Sequence, residues 1–218
     1  MSKAAARRQT ILDGIFQAAE LAKRDPAEIA LIAVSKGRSV EEIGELIAVG
    51  QREFGENRVQ EAQAKWPELL ARHPDVRLHE IGRLQSNKAG EAVKLFDVVH
   101  SVDRQSLLEA IISEARKAER SPDLYVQVNI GDEEQKGGCA ISEVGALVDA
   151  CRRSGLPLAG LMGIPPLGVE PAPYFALLAK IARRHDVIGL SIGMSGDFKT
   201  AVMLGATAVR IGAALFED

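Results

Sequence analysis

The chain contains, at residues 29–36, the sequence Ile29-Ala30-Leu31-Ile32-Ala33-Val34-Ser35-Lys36, an apolar run that ends in a lysine. A short run of this kind is typical of a strand buried on both faces, as in a parallel sheet. Lys36 would then lie where the strand ends, at the rim where α/β folds bind ligands. An amine at that rim is a candidate Schiff-base nucleophile. The alternative is a solvated lysine that simply ends a strand.

The rest of the chain repeats this alternation of strand and helix. Seven further apolar or β-branched runs fall near residues 52–55, 76–82, 97–101, 124–130, 158–164, 187–192 and 207–211. Amphipathic segments lie between the runs, near 39–49, 57–71, 85–94, 103–118, 141–154, 171–184 and 196–204. Eight strands separated by helices predict parallel βαβ units.

Two α/β architectures fit such units, a doubly wound open sheet and a closed barrel. The open sheet usually has fewer strands, whereas the barrel has eight. Eight repeats within 218 residues leave no length for a second domain. We therefore predict a single (β/α)8 TIM-type barrel domain over residues 1–218.

An additional helix precedes the first strand. Apolar residues recur at helical spacing between residues 2 and 23, and Asp25-Pro26 ends the pattern because the residue before proline avoids helical angles. We expect this N-terminal helix, within residues 1–24, to pack on the barrel.

Composition excludes several classes of protein. The net charge of -3 and the 4% aromatic content give no basic patch and few stacking platforms for nucleic acid. Cys139 and Cys151 have no His/Cys cluster around them, so we expect reduced thiols and no metal site. The start of the chain has no apolar signal region, and no run is long enough to cross a bilayer. We expect a soluble, cytoplasmic protein.

Polar residues follow several of the predicted strands. Asn57 comes directly after the second strand, where it could contact a ligand or could equally be a helix N-cap. His79 lies within the third strand, and a lone strand histidine is more often structural than catalytic. Lys136, in the charged loop at 131–138, is a rival amine that lacks the apolar setting of Lys36.

The last two strands end in glycine-containing turns that could bind an anion. Gly193-Met194-Ser195-Gly196 follows strand seven and opens a helix, and Gly212 follows strand eight. Backbone amides at such turns, with the Ser195 hydroxyl, make a ready phosphate site, and barrels often build one there. The alternative is a pair of tight turns without a ligand.

A phosphate site and an amine nucleophile at one barrel mouth point to a phosphorylated aldehyde. Pyridoxal 5′-phosphate (PLP) fits this description directly. The sugar phosphates handled by Schiff-base aldolases fit it as well, so these residues alone leave both ligands open.

Six stretches resemble the pyridoxal phosphate homeostasis proteins, a family related to the barrel domain of alanine racemase. They are 32–36, 54–61, 79–88, 160–166, 190–197 and 209–212, which follow one another along nearly the whole chain. The resemblance implies PLP as the cofactor, held as a Schiff base on a lysine.

The resemblance also implies roles for individual residues. Lys36 would form the Schiff base with PLP, and Asn57 would lie against the cofactor ring. The phosphate would be held by Ser195 and by the backbone of Gly212 and Ala213. Arg210 would face the pyridine nitrogen, which leaves PLP a weaker electron sink than a carboxylate partner would.

Three positions depart from the family pattern. Ala213 stands where threonine or serine is common, so one hydroxyl contact to phosphate is missing, a loss on the order of 1 kcal/mol. Glu80 replaces a usually apolar residue, and Gly163 stands where cysteine is frequent.

Two functions fit a lysine-bound PLP. The first is a PLP carrier that buffers the cofactor or delivers it to apo PLP-dependent enzymes, without substantial turnover. The second is an amino-acid racemase, which needs a second acid–base group opposite Lys36. The tyrosines, Tyr125 in a predicted strand and Tyr174 on an outer helix, do not match that role. We therefore favour a carrier, expected to act as a monomer.

Overall fold

The computed structural model describes residues 2–133 and 135–217 and contains a closed barrel of parallel strands. The strands are β1 (Ala30–Val34), β2 (Glu53–Glu56), β3 (Arg77–Glu80), β4 (Val98–Val102), β5 (Asp123–Val128), β6 (Leu158–Gly163), β7 (Gly189–Ser191) and β8 (Ala208–Ile211). They pair in chain order, and β8 closes on β1. The predicted (β/α)8 fold is confirmed.

Helices surround the barrel and cover its outer face. They are α1 (Lys3–Leu21), α2 (Val40–Ala48), α3 (Val59–Arg72), α4 (Ala89–Leu95), α5 (Gln105–Ala118), α6 (Val144–Ser154), α7 (Ala172–Arg184), α8 (Phe198–Met203) and α9 (Ala213–Phe216). Short 3-10 turns lie at Pro26–Glu28, Ser86–Lys88 and Ile141–Glu143. None of the helices in the described part of the chain is long and apolar enough to cross a membrane.

Helix α1 is the predicted N-terminal addition, and it packs against α8 and α9. Its buried face carries Ile11, Ile15, Ala18 and Ala19, which recur at helical spacing. Since α8 and α9 flank β8, helix α1 covers the seam where the barrel closes. Helix α9 was not predicted, because four residues are too few to show a helical period.

The barrel interior is more polar than the branched aliphatic packing that is usual for this fold. Side chains from five strands meet there and are bonded to one another: Glu53, His79, His100, Ser191 and Arg210. Four of the five are buried, and Glu53 is partly exposed at the first position of β2. His79 is a lone histidine in the sequence pattern, whereas the fold gives it a partner on each side, His100 and Glu53.

Strand register places the ends of four neighbouring strands side by side. Ala33 of β1 lies opposite Phe54 of β2 and Ile211 of β8, and Ser191 of β7 lies opposite Ala208. The loops that follow β7, β8, β1 and β2 therefore form one arc of the carboxyl-terminal rim, where ligands of this fold bind.

Candidate functional site

Lys36 lies two residues beyond β1, in a turn with Gly37, whose φ of +70° suits glycine. Its side chain is exposed, so the apolar setting expected from the sequence is confined to the strand before it. No hydrogen bond or ion pair joins its ammonium group to another residue in the described ranges. Lys36 is thus an available amine on the barrel rim.

The turn that carries Lys36 is fixed on both sides by helix α3. The Lys65 ammonium donates to the Ser35 carbonyl at 2.9 Å, and the Gly37 amide donates to the Glu61 carboxylate at 2.5 Å. Lys65 and Glu61 also pair with each other, at 2.9 Å. The backbone of Lys36 is therefore held in place while its side chain stays free.

A buried carboxylate supports this turn from below. Glu56, the last residue of β2, is 0% exposed and ion-pairs with Lys65 at 2.8 Å. The same oxygen accepts hydrogen bonds from the Ser35 hydroxyl at 2.7 Å and the Trp66 indole at 2.9 Å. This cluster was not predicted from the sequence, although a glutamate at the end of a buried strand requires a buried cationic partner.

Asn57 does not cap helix α3, so that alternative is wrong. The helix starts one residue later than expected, and its N-cap is Arg58, which makes no side-chain capping bond. The Asn57 side-chain oxygen is buried and has no hydrogen-bond partner among the described residues. Its backbone packs so closely on Gly82 that a Cβ there would lie 2.1 Å from the Asn57 carbonyl oxygen. Asn57 is thus held in place, and its side-chain oxygen remains available as a hydrogen-bond acceptor.

The turns after β7 and β8 present unused backbone donors. No hydrogen bond engages the amides of Ser195, Gly196 or Gly212 in the part of the chain that the structure describes. Ser195 and Gly196 are exposed at the rim, and a Cβ at Gly212 would meet nothing nearer than Val34 at 3.7 Å. Ala213 is exposed beside them, at the start of α9. Such a donor set suits an anion such as phosphate.

Arg210 lies in the barrel below these turns and is 4% exposed. One guanidinium nitrogen donates to the Ser191 carbonyl at 2.7 Å and to the Ser191 hydroxyl at 2.5 Å, and the other donates to the Gly163 carbonyl at 3.2 Å. Burial lowers the pKa of Arg210 to about 10, which still leaves the group protonated at neutral pH. The site therefore has a fixed, donor-only cation beneath the rim.

The rival amine and the tyrosines are placed differently. Lys136 donates to the Pro165 carbonyl at 3.1 Å and ion-pairs with Glu133 at 2.6 Å, so its amine is engaged. The loop residue Glu134 lies outside the described residues. Tyr125 stacks on His100 and hydrogen-bonds with Thr207, which lies at the amino-terminal end of β8. Tyr174 lies on helix α7. Tyr125 is therefore at the end of the barrel opposite to Lys36.

A cavity of about 700 Å³ adjoins Asn57, between the ends of β2 and β3. Its wall includes the basic residues Arg58, Arg83 and Arg104 and the carboxyl group of Glu80. Glu80 is 1% exposed, and burial raises its pKa to about 8, despite hydrogen bonds from Ser101 and the Gly82 amide that act in the opposite direction. Glu80 is therefore mostly protonated at neutral pH. No cluster of metal-ligating side chains is found in residues 2–133 and 135–217.

The chain matches the family model of the alanine racemase N-terminal domain over residues 16–218. The barrel is thus of the alanine racemase N-terminal class. A pyridoxal phosphate homeostasis protein of Pseudomonas aeruginosa is 41% identical over 211 residues, which cover 93% of this chain and 90% of the relative. One of Escherichia coli is 37% identical over 219 residues, which cover 94% and 92%. The chain belongs to the pyridoxal phosphate homeostasis protein family.

Solved structures agree with this assignment. PipY of Synechococcus elongatus, in a structure with PLP bound, is 38% identical, with a TM-score of 0.83 over 98% of this chain and 100% of PipY. Alanine racemase of Acinetobacter baumannii is 16% identical, with a TM-score of 0.71, and this chain covers 61% of it. The similarity to alanine racemase, at 16% identity, concerns the fold alone.

The buried Glu80 carboxyl makes stability depend on pH. Its pKa in the folded protein, about 8, lies above the usual value of 4.5, so the folded state binds the proton more tightly than the unfolded state. The free energy of unfolding should therefore fall as the pH rises from 4.5 to 8. Glu80→Gln cannot ionise, and we expect it to gain stability over the parent across this window, by roughly 4 kcal/mol at pH 8.

Urea unfolding at pH 5, 7 and 8.5 would measure this difference. The exposed Glu45→Gln is the matched control and should follow the parent at every pH. A constant difference between Glu80→Gln and the parent across the three pH values would contradict the burial of a protonated Glu80.

Proposed function

We propose that this protein binds PLP and acts in PLP homeostasis, holding the cofactor covalently on Lys36 and buffering or delivering it without substantial turnover. The observation that carries the proposal is the arc formed by the ends of β7, β8, β1 and β2. It joins a lysine with a fixed backbone to a set of anion donors, and neither the lysine ammonium nor these donors are engaged by any residue in 2–133 and 135–217. The names of the relatives and the PLP-bound structure of PipY support the same ligand.

PLP supplies an aldehyde that condenses with a primary amine, with loss of one water molecule. Lys36 is suited to provide the amine because the Ser35 and Gly37 contacts hold its backbone and nothing described engages its ammonium group. Lys136 is not suited, since its ammonium group is bonded to Pro165 and Glu133. The preference for Lys36 thus rests on geometry as well as on sequence.

The phosphate would be bound at the turns after β7 and β8. The Ser195 hydroxyl and the amides of Ser195, Gly196 and Gly212 are donors at one rim, and the Ala213 backbone begins the adjacent helix. Ala213 has no hydroxyl, so this part of the site relies on backbone donors. Backbone amides are fixed by the fold and lose little freedom when an anion binds.

Arg210 would donate a hydrogen bond to the pyridine nitrogen, and Asn57 would lie against the ring. A guanidinium cannot accept a proton and does not give one up at neutral pH. Arg210 would therefore leave the ring nitrogen of bound PLP unprotonated, which would limit how well the ring can stabilise a carbanion. A ring held in this way is suited to storage more than to catalysis at the α-carbon.

The racemase alternative requires a second acid–base group that faces Lys36 across the ligand. Tyr125 is directed toward Thr207, at the opposite end of the barrel, and Tyr174 is on the outer helix α7. Neither tyrosine can reach a ligand on Lys36. The carrier function is therefore favoured over racemisation.

The proposal also covers the domain organisation, oligomeric state, location and partners of the protein. We expect residues 1–218 to act as one PLP-binding domain, as a monomer in the cytoplasm, with apo PLP-dependent enzymes as partners that receive the cofactor. Cys139 and Cys151 are buried free thiols, which suits a reducing compartment. We propose no role for nucleic acid or membrane.

Replacing Lys36 should abolish covalent attachment of PLP without unfolding the protein, because its side chain is exposed and makes no described contact. Lys36→Ala should lose the visible absorbance of lysine-bound PLP and keep the parent's circular dichroism. Lys136→Ala is the matched control and should keep the absorbance. If Lys36→Ala retained the band, the attachment site would be elsewhere.

Restoring a hydroxyl at residue 213 should tighten PLP binding. Ala213→Thr adds one hydrogen-bond donor beside the backbone amides, which is worth about 1 kcal/mol or about fivefold in Kd. Ala213→Val has the same shape without the hydroxyl and should leave Kd close to the parent value. Equal tightening by both variants would show that packing, not a phosphate contact, is responsible.

Transfer of PLP separates the carrier from the racemase. Holo-protein mixed with an apo PLP enzyme should restore that enzyme's activity, and the same holo-protein incubated with L- or D-amino acids should show no α-proton exchange at enzymatic rates. Lys36→Ala, loaded with PLP and then desalted, is the control and should transfer little. Rapid exchange of the α-proton would reverse the assignment in favour of the racemase.

A further inference from the structure

A continuous line of hydrogen bonds runs through the barrel from Arg210 to the amino-terminal end of β2. The Arg210 guanidinium contacts the Ser191 hydroxyl at 2.5 Å, and this hydroxyl is 2.9 Å from His100 Nδ1. His100 Nε2 is 2.9 Å from His79 Nδ1, and His79 Nε2 is 2.5 Å from the Glu53 carboxylate. The function proposed above uses Arg210 alone and leaves the other four residues without a role.

The middle of this line is closed to water. Ser191 and His100 are each 0% exposed, and His79 is 5% exposed. Burial lowers the pKa of His100 well below its usual value, and the nearby His79, Arg210 and Arg77 act in the same direction. His100 is therefore neutral and carries a single ring proton.

With a neutral His79, the chemistry of the groups fixes the direction of every bond in this line. Arg210 can only donate, so the Ser191 hydroxyl accepts from it and is free to donate its own proton to His100 Nδ1. Neutral His100 then carries its proton on Nε2 and donates to His79 Nδ1. His79 in turn carries its proton on Nε2 and donates to Glu53, which as a carboxylate can only accept.

The Glu53 carboxyl, at the other end of this line of hydrogen bonds, is ionised at neutral pH. Burial opposes its ionisation, but the hydrogen bond from His79 and the charges of His79 and Arg77 outweigh this effect and lower the pKa of Glu53. A donor-only cation and an acceptor-only anion thus terminate the line of hydrogen bonds. With a neutral His79, the carboxylate end alone sets the direction of every bond, and the guanidinium end is compatible with that direction.

We propose that Ser191, His100, His79 and Glu53 are positioning residues that form a hydrogen-bond relay, and that this relay orients the Arg210 guanidinium beneath the cofactor site. The part of the inference that concerns PLP rests on the proposed function. The hydrogen bonds of the relay do not rest on it, because they are the protein's own contacts.

The relay also has a defined second state, reached when His79 is protonated. An imidazolium donates from both nitrogens, so His79 would then donate to His100 Nε2 as well as to Glu53. His100 would have to carry its proton on Nδ1 and donate to Ser191. The Ser191 hydroxyl would face two donors, His100 and Arg210, and would lose its acceptor.

Several charged or titratable groups surround the two histidines and bear on this change. They are Glu53 from β2, Arg77 from the start of β3, Tyr125 and Asp123 from β5, and Arg210 from β8. Arg77 is held by Asp123 at 2.7 Å and disfavours a second positive charge nearby, whereas Glu53 favours one. Glu53 contacts His79 directly and is therefore the charged group that bears most on its protonation.

Nitrogen-15 NMR of the histidine side chains, on the PLP-free full chain, tests the relay without any substitution in it. One proton lies between His79 Nδ1 and His100 Nε2, so His100 should be the Nε2–H tautomer wherever His79 is neutral and the Nδ1–H tautomer wherever His79 is doubly protonated. The two histidines should therefore change together in any pH series. An Nε2–H His100 beside a doubly protonated His79, or an Nδ1–H His100 beside a neutral His79, overturns the relay.

Ser191→Ala tests the effect on Arg210 and leaves Lys36 intact. This variant should still show the visible band of lysine-bound PLP, but its Kd for PLP should rise about fivefold to tenfold because Arg210 loses one anchor. The ring-nitrogen 15N shift of labelled PLP should move as well. Ser191→Thr keeps the hydroxyl and should restore both values.

Ser101→Ala is the matched control, since Ser101 is another buried strand serine whose hydroxyl bonds to Glu80 and lies outside the relay. It should leave the ring-nitrogen shift of PLP unchanged. An unchanged shift in Ser191→Ala, or an equal change in Ser101→Ala, overturns the positioning role. Failure of the parent protein to bind PLP would refute the proposed function instead, and the tautomer measurement would still stand.

Discussion

The pairing of β8 with β1 is the contact on which the remaining structure depends. It joins residues from opposite ends of the chain, with Ala30 opposite Ala208 and Ala33 opposite Ile211. Because parallel strands have their carboxyl ends on one rim, this register brings the turn of Lys36 beside Gly212 and the start of α9. Helix α1 packs on α8 and α9 and covers the same seam, which explains why the fold carries an additional helix there.

Two buried charges stabilise the site in different ways. The Glu56 carboxylate is paired with Lys65, and this pair fixes the turn of Lys36 through Ser35. Among the described residues no carboxylate contacts the Arg210 guanidinium, which instead donates to carbonyl oxygens and the Ser191 hydroxyl. Burying either charge opposes folding unless its hydrogen bonds are complete, so both act mainly to specify geometry.

Most of the fold and the outline of the site could be predicted from the sequence, because both depend on local patterns. Apolar runs of strand length gave all eight strands, and glycine turns marked the ends of β7 and β8. The Glu56–Lys65 pair and the histidine line could not be predicted, since their partners lie on separate strands and helices. Asn57 was ambiguous for a related reason. Whether it caps α3 depends on a one-residue shift in the helix start that no local signal sets.

The same contacts explain why a lysine so exposed can still be a specific attachment point. An ordinary surface lysine adds its own backbone freedom to that of its side chain, and both are lost when a ligand is bound. Here the bonds of Ser35 and Gly37 to α3 have already removed the backbone part, so attachment at Lys36 costs only side-chain freedom. Because the side chain itself remains open to water, the attached group stays within reach of a competing amine. A fixed backbone favours selective capture and an open side chain favours release, and a carrier needs both properties, whereas an enzyme would gain from enclosing the bond.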